Sequence, residues 1–231
     1  PWYSYYVLKT EGIFQSQEEI DNFTWRDPET GIKQKVQPNA KPGDFKYVDF
    51  NNDGKITDDD KQYLGSYMPK ITFGFGGNLQ WKGIDFSFQF QGVGKSTVYN
   101  GFKQMGYTGR GQGGNMLADV KNSWEYNKTS GVPRIGLISD PNGNYNSLND
   151  FFLEDASYLR LKNVTIGYTL PDNVMRAIGL PGSTARFYLN GENLFTATDY
   201  SGIDPEVGNF GIDGGTYPVA RSFSIGFNFS F

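Results

Sequence analysis

Residues 71–91 read ITFGFGGNLQWKGIDFSFQFQ, and this stretch decides the fold. Up to Trp81, large apolar residues alternate with Gly, Thr, Asn or Gln, and the alternation resumes after Lys82-Gly83 at Ile84. A period of two is typical of a β-strand, whose successive side chains point to opposite faces. A two-residue turn that contains glycine predicts a hairpin. One face of this hairpin is therefore large and apolar, and the other is small and polar.

Four further segments carry strand patterns. Segment 222–231 alternates Phe or Ile with Ser, Gly or Asn, and segment 184–194 alternates less cleanly. Segment 158–170 changes parity near Asn163, which indicates either a β-bulge or an upper half that rises clear of the apolar layer. Segment 2–9 is aromatic, and we predict it to be extended although its alternation is poor. About six strands follow from these patterns.

Connection lengths distinguish a soluble sandwich from a membrane barrel. Long connections at 10–70, 93–156 and 196–218 alternate with short ones at 82–83 and 171–182. Bacterial outer-membrane barrels place short turns in the periplasm and long loops outside, whereas a sandwich has no reason to do so. The strand lengths match the roughly 9–11 residues that cross a membrane when tilted.

We therefore predict an all-β fold, a transmembrane antiparallel β-barrel with extracellular long loops. Single-chain barrels begin at about eight strands, and an open sheet in lipid would leave edges unpaired. Residues 1–231 are thus expected to be the C-terminal portion of a larger barrel. The first residues lack the basic start and apolar run of a signal peptide.

Composition excludes several classes of function. The chain has no Cys and no His, so it has no disulfide, no thiol nucleophile, no His-based triad and no site ligated by either residue. A formal net charge of -4 argues against binding nucleic acid. The glycine-rich runs at 74–77 and 109–114 match no phosphate-binding motif, and loop carboxylates such as Glu154 and Asp155 are usually solvated. We predict no enzymatic activity and no catalytic residue.

Residues 49–60 read DFNNDGKITDDD and match the calcium-loop template. A hard cation takes oxygen ligands, and Gly54 allows the sharp turn of such a loop. The alternative is an Asx-turn loop with solvated charges. The predicted Ca²⁺ site is structural, and its ligands are Asp49, Asn51, Asp53, the carbonyl of Lys55, and Asp60.

Several motifs are spread over about residues 40–231. They are PGDFKY at 42–47 with DFNNDG at 49–54, YLRLKNVTIGYTLP at 158–171, NGENLF at 190–195, DPE at 204–206 and the terminal Phe231. Together, and in this order, they resemble the SusC/RagA-type TonB-dependent transporters of Bacteroidota.

The resemblance implies a 22-stranded barrel with a plug, of which this chain would hold about the last six strands. It implies import of oligosaccharides or peptides across the outer membrane, with a SusD-like surface lipoprotein as the lid. Contact with the TonB complex would belong to the N-terminal part, which is outside this chain. Phe231 would belong to the C-terminal signal read by the barrel-assembly machinery. Segment 115–128, with apolar residues at helical spacing, is predicted to be an amphipathic helix that packs within its loop or contacts the lid.

Two other functions fit parts of the pattern. One is a soluble secreted β-sandwich that binds glycans and carries a calcium-stabilised loop. The other is a carbohydrate-active enzyme. Extraction of the parent protein without detergent would favour the first, and glycan turnover that depends on one carboxylate would favour the second.

Overall fold

The computed structural model describes residues 3–108, 115–135 and 140–231. In this part of the chain the strands are β1 (Ser4–Val7), β2 (Thr10–Ile13), β3 (Thr24–Arg26), β4 (Lys33–Lys35), β5 (Phe45–Tyr47), β6 (Gln62–Ser66), β7 (Ile71–Trp81), β8 (Ile84–Gly94), β9 (Thr97–Tyr99), β10 (Leu153–Asp155), β11 (Tyr158–Thr169), β12 (Thr184–Thr198) and β13 (Ser222–Ser230). The helices are α1 (Gln17–Asn22), α2 (Gly101–Thr108) and α3 (Asp172–Ala177). Short 3₁₀ turns cover Asp58–Asp60, Ala118–Asn122, Asp150–Phe152 and Asn209–Gly211.

The chain divides into two compact units. The sheet unit consists of Pro69–Ser96, Asp155–Glu206 and Thr216–Phe231. The loop unit consists of Pro1–Met68, Thr97–Glu154 and Val207–Gly215. The long connections predicted from the sequence thus supply most of a compact unit of their own.

The sheet unit is one antiparallel sheet in the order β13-β12-β11-β8-β7. Lys82 and Gly83 join β7 to β8 with backbone φ angles of 47° and 86°. Positive φ at both central residues gives the turn whose twist suits a tight hairpin, which confirms the predicted connection. The 171–182 connection contains α3, whose Met175 is buried.

The parity change in β11 is a β-bulge. Leu161 pairs with Phe90 of β8, but Asn163 pairs with Gln89, so Lys162 is an extra residue in the ladder. The bulge keeps Leu161 on the same face as the apolar residues that follow Asn163. Of the two explanations offered by the sequence, the structure has the bulge.

Two sequence-based predictions are wrong. Segment 2–9 is extended over Ser4–Val7, as predicted, but these residues do not join the large sheet, because β1 pairs with β6 in a separate two-stranded sheet of the loop unit. Segment 115–128 forms only the 3₁₀ turn Ala118–Asn122 in place of an amphipathic α-helix. The N–H of Trp124 is bonded to the carbonyl of Val132, so the backbone leaves the helical path there.

The loop unit is built from small two-stranded sheets and aromatic cores. One core contains Tyr99, Tyr107, Tyr145 and Phe152, and a second contains Leu8, Phe45 and Tyr47. A third core packs Phe14, Ile20 and Ala40. Since these residues come from segments far apart in the sequence, the long connections are folded against one another.

Candidate functional site

One face of the sheet unit presents exposed apolar side chains in rows that cross all five strands. One row is Leu79, Phe86, Ile166, Leu189 and Ile225. The two ends of this row, Leu79 and Ile225, are 67% and 83% exposed. A continuous exposed apolar surface of this kind marks contact with a membrane or with another apolar partner.

Phe231 continues the apolar side of the last strand. Its ring centroid lies 6.1 Å from that of Phe229, which lies 6.2 Å from Phe227. The Phe231 side chain is fully exposed. Its predicted role in barrel assembly stays a prediction.

The opposite face of the sheet carries a charged pair that spans three strands. Arg186 of β12 donates from Nε and Nη2 to the two oxygens of Asp85 on β8, at 2.8 and 2.5 Å. The pair passes over Gly167 of β11, where an added Cβ would lie 2.5 Å from the Asp85 carboxylate. Bidentate pairing of this kind fixes orientation as well as charge.

A second charged cluster anchors the 199–221 connection to β11. Arg160 is 2% exposed and donates to Asp204 at 2.6 Å and to Glu206 at 2.8 Å. Lys162, the bulge residue, donates to the same Glu206 carboxylate at 3.1 Å. A buried guanidinium requires such partners, because an unpaired buried charge is strongly destabilising.

Asp204 lies at the centre of this anchor and remains ionised. Burial acts to raise the pKa of Asp204, but the N–H of Glu206 and the guanidinium of Arg160 outweigh burial. The pKa is therefore held below its usual value. The N–H of Val219 also donates to this carboxylate, which ties a second point of the connection to it.

The structure brings three of the predicted calcium ligands together. Oδ1 atoms of Asp49 and Asn51 both accept from the N–H of Asp53 at 3.1 Å. Asp49 also accepts from the N–H of Gly54, and the N–H of Lys55 donates to Asp53. The donor atoms are the neutral and charged oxygens that Ca²⁺ prefers.

Asp60 has a different local role from its neighbours. It is fully buried, and its carboxylate accepts from the N–H groups of Phe50 and Thr57 at 2.8 and 2.7 Å. With Thr57 it forms a capping box on the 3₁₀ turn Asp58–Asp60. Among the described residues, no cluster of three or more acidic side chains is spaced to hold a metal ion. The loop's donors fit Ca²⁺ in chemical kind, and here they hold backbone N–H groups.

The loop unit contains a buried charge that the sequence motifs did not reveal as a site. Asp44 is fully buried and pairs with Arg134, 2.6 Å away, while Asn144 donates to it at 2.8 Å. The N–H of Lys41 donates to its other oxygen. The partners are up to 100 residues away in sequence, so only the folded unit places them together.

An amide network surrounds this centre. Gln37 donates to the carbonyl of Phe45 and to Asn142, and accepts from the N–H of Tyr47. The Tyr47 hydroxyl donates to the carbonyl of Gly143 at 2.8 Å. Burial raises the pKa of Tyr47 above its usual value, so this hydroxyl stays protonated as a donor. Gln37, Tyr47 and Asn142 line a cavity of about 410 Å³ in the loop unit.

The acidic residues and the glycine run of the remaining motifs have other partners or positions in the described part of the chain. Glu154 pairs with Lys103 at 3.0 Å, and Asp155 accepts from the N–H of Ser157. The glycine run 74–77 lies inside β7. The run 109–114 lies outside the described residues.

Comparison with known proteins finds similar receptors and a similar solved structure. No family model matches the chain. Across 97% of its length the chain is 37% identical to TonB-dependent receptor P26 of Formosa agariphila. It is also 29% identical, over 86% of its length, to TonB-dependent receptor SusC of Bacteroides thetaiotaomicron. The RagAB peptide importer in its closed-closed state matches 97% of the chain with a TM-score of 0.69 and 28% identity.

Over nearly its whole length the chain is thus similar to TonB-dependent receptors of the SusC/RagA type. It spans 22% of the length of receptor P26, 19% of SusC and 22% of the matched RagAB chain. The names of these relatives describe receptors and importers rather than enzymes. None of the described helices is long and apolar enough to cross a membrane.

Proposed function

We propose that this chain forms part of the wall of an outer-membrane β-barrel that imports nutrients with energy from TonB. The observation that carries the proposal is the exposed apolar face, which continues in register across all five strands. In a barrel this face meets lipid, and the polar face with Asp85 and Arg186 lines the interior. The edges β7 and β13 pair with further strands of the same barrel.

The cargo in this proposal is an oligosaccharide or a peptide. A peptide is supported by the matched RagAB structure, which is that of a peptide importer. The oligosaccharide is what the resemblance of the sequence motifs to SusC-type transporters implies. A SusD-like surface lipoprotein acts as the lid over the loop unit. Phe231 serves in the signal read by the assembly machinery.

Paired cysteine substitutions test which face meets lipid. The chain has no Cys, so Leu189→Cys and Asn190→Cys give neighbouring reporters on opposite faces of β12. In the full-length protein in membranes, we expect a water-soluble maleimide to label the Asn190 position and a lipid-soluble one the Leu189 position. Equal labelling of both by the water-soluble reagent, or release of the protein without detergent, would support the secreted sandwich instead.

We further propose that loop 49–60 binds a structural Ca²⁺ through Asp49, Asn51, Asp53, the Lys55 carbonyl and Asp60. The support is the convergence of the Asp49 and Asn51 side chains on the N–H of Asp53, whose own carboxylate accepts from the next turn of the loop, the N–H of Lys55. Each carboxylate oxygen that accepts one N–H has a second acceptor position for a cation. Asp60 is the weakest of the proposed ligands, because its oxygens already cap the 3₁₀ turn.

Calcium titration of the full-length protein tests this site. Ca²⁺ should raise the temperature at which the loop unit unfolds, and Asp49→Asn with Asp53→Asn should abolish that rise. Asp58→Asn is the matched control, because this carboxylate is 91% exposed and pairs with Lys61 at the surface. An equal calcium response in all three proteins would reject the site.

A further inference from the structure

The cavity of about 410 Å³ in the loop unit has a buried side and an exposed side. Gln37 and Tyr47 form the buried side and are 6% and 1% exposed. Their polar atoms are fixed by the amide network described above, so this side is preorganised. Asn39 and Asn146 are the exposed amides of the lining. The volume falls within the range of about 300–1,000 Å³ that is usual for small-molecule sites.

The lining of the cavity carries little charge. Asp140 is the one charged side chain among its described lining residues, and no Lys or Arg lines it. The Asp140 carboxylate already accepts from the N–H groups of Asn144, Tyr145 and Asn146, at 2.9, 2.8 and 3.1 Å. An anionic ligand would therefore lose hydration here without meeting a cation, and a cationic ligand would meet a carboxylate whose charge is already offset in part by three N–H groups.

The lining combines side-chain amides with apolar surface. An amide offers an acceptor oxygen and a donor NH₂ side by side, which matches a pair of neighbouring hydroxyls. Ser147 adds a hydroxyl, which both donates and accepts. Leu8, Val36 and Ile56 supply apolar contact of the kind that the C–H face of a pyranose ring needs.

We infer that this cavity is a binding site for a neutral saccharide, held by Asn39, Asn146 and Ser147 on its exposed side. The inference rests on the proposed import function, for which it names the cargo class, and it places a cargo contact in the loop unit. Gln37 and Tyr47 act as positioning residues, because their bonds hold segments 45–47 and 142–143 in place.

Calorimetry on the purified full-length protein in detergent tests the site. The probes are neutral hexasaccharides of glucose, xylose and mannose, hexagalacturonate as an acidic comparator, and an uncharged, end-blocked octapeptide. The test variant combines Asn39→Ala with Asn146→Ala, and the matched control is Asn115→Ala at another exposed asparagine of the loop unit. Unchanged thermal unfolding shows that each variant is folded.

We expect at least one neutral hexasaccharide to bind. The double variant should raise the Kd of that saccharide by about tenfold or more, as loss of two hydrogen bonds implies. The control should stay within about twofold, and hexagalacturonate should not bind. Binding of the peptide alone, no binding of any neutral saccharide, or equal binding by the double variant would overturn the inference. Uptake by cells is measured separately, so energised import of another nutrient would leave the proposed function standing while this site fails.

Discussion

The sheet unit and the loop unit are both rich in aromatic residues but use them in opposite ways. In the sheet unit, Phe223 and Ile225 are 79% and 83% exposed, whereas Phe152 and Phe14 of the loop unit are fully buried. A core that is removed from water explains the second arrangement. The first is typical of a surface that contacts an apolar partner, which is lipid in the barrel that we propose. The same kind of side chain is thus buried in one unit and directed outward in the other.

The two units also differ in what brings their polar side chains together. Along the sheet, polar contacts such as Thr165 with Asn190 follow strand register. In the loop unit, Asp44 reaches Arg134 and Asn144 through the folded loops alone. Register organises the first set, and burial organises the second.

The largest expected effect is on the aromatic core of the loop unit. Phe152→Ala should destabilise this unit by about 3–5 kcal/mol, because it removes a fully buried ring. Faster hydrogen exchange at the Asn100 N–H, which donates to the Phe152 carbonyl, would measure this loss of stability. The same change at Phe50, which is 62% exposed, should cost less than about 1 kcal/mol. Equal costs would mean that the loops do not form a packed core.

A charge on the apolar face should have the next largest effect. Ile225→Arg should destabilise the full-length protein in lipid by about 2–4 kcal/mol, whereas Ser224→Arg on the polar face should cost less than about 1 kcal/mol. Denaturant unfolding followed by heat-modifiable gel migration gives both values. If water surrounds both faces, the exposed Ile225 position should accept Arg as readily as its neighbour does.

A smaller effect is expected where the Asp85–Arg186 pair crosses Gly167. Gly167→Ala should cost about 1 kcal/mol, since the added Cβ displaces a pair that is about a quarter exposed. Combined with Asp85→Ala, it should cost nothing further, because the pair is already lost. Strict additivity of the two substitutions would show that Gly167 serves some purpose other than this pair.

The smallest effect concerns pH. Because the folded pKa of Asp204 lies below its usual value, its stabilising contribution is present above about pH 4 and is lost as pH falls through the folded pKa. Hydrogen exchange at Val219, corrected for intrinsic rates, should accelerate only below about pH 4. In Asp204→Asn this acid step should be absent. An acid step of the same size in the variant would assign it to another group.

The sheet was largely predictable from the sequence because its order is local. Alternation located β7, β8 and β13, and the Lys82-Gly83 pair predicted the turn. The parity change near Asn163 located the bulge but left a second explanation open, which the register of β11 and β8 decides. Segment 2–9 was misplaced because poor alternation does not say which sheet an extended segment joins. Segment 115–128 was misread because tertiary hydrogen bonds override helical spacing there.

The candidate cavity could not be predicted from the sequence, because its lining residues come from segments far apart in the chain. Gln37 meets Asn142 across 105 residues, and no spacing rule connects such positions. A compact run of polar residues at 140–149, rich in Asn, was the available signal. The Asp49, Asn51 and Asp53 cluster could be predicted because all three lie within one turn-forming loop.

The extra residue Lys162 also limits how this strand can change by insertion or deletion. If Lys162 were paired as an ordinary strand residue and did not form the bulge, the alternation of β11 would run unbroken from Tyr168 back to Tyr158. Arg160 would then move to the face that carries Val164, and Leu161 would take its place beside Asp204. A one-residue insertion or deletion elsewhere in β11 would thus cost more than many substitutions, because it would exchange the two faces in one half of the strand. The bulge lets Arg160 serve the charged cluster while Leu161 and Val164 share the apolar face.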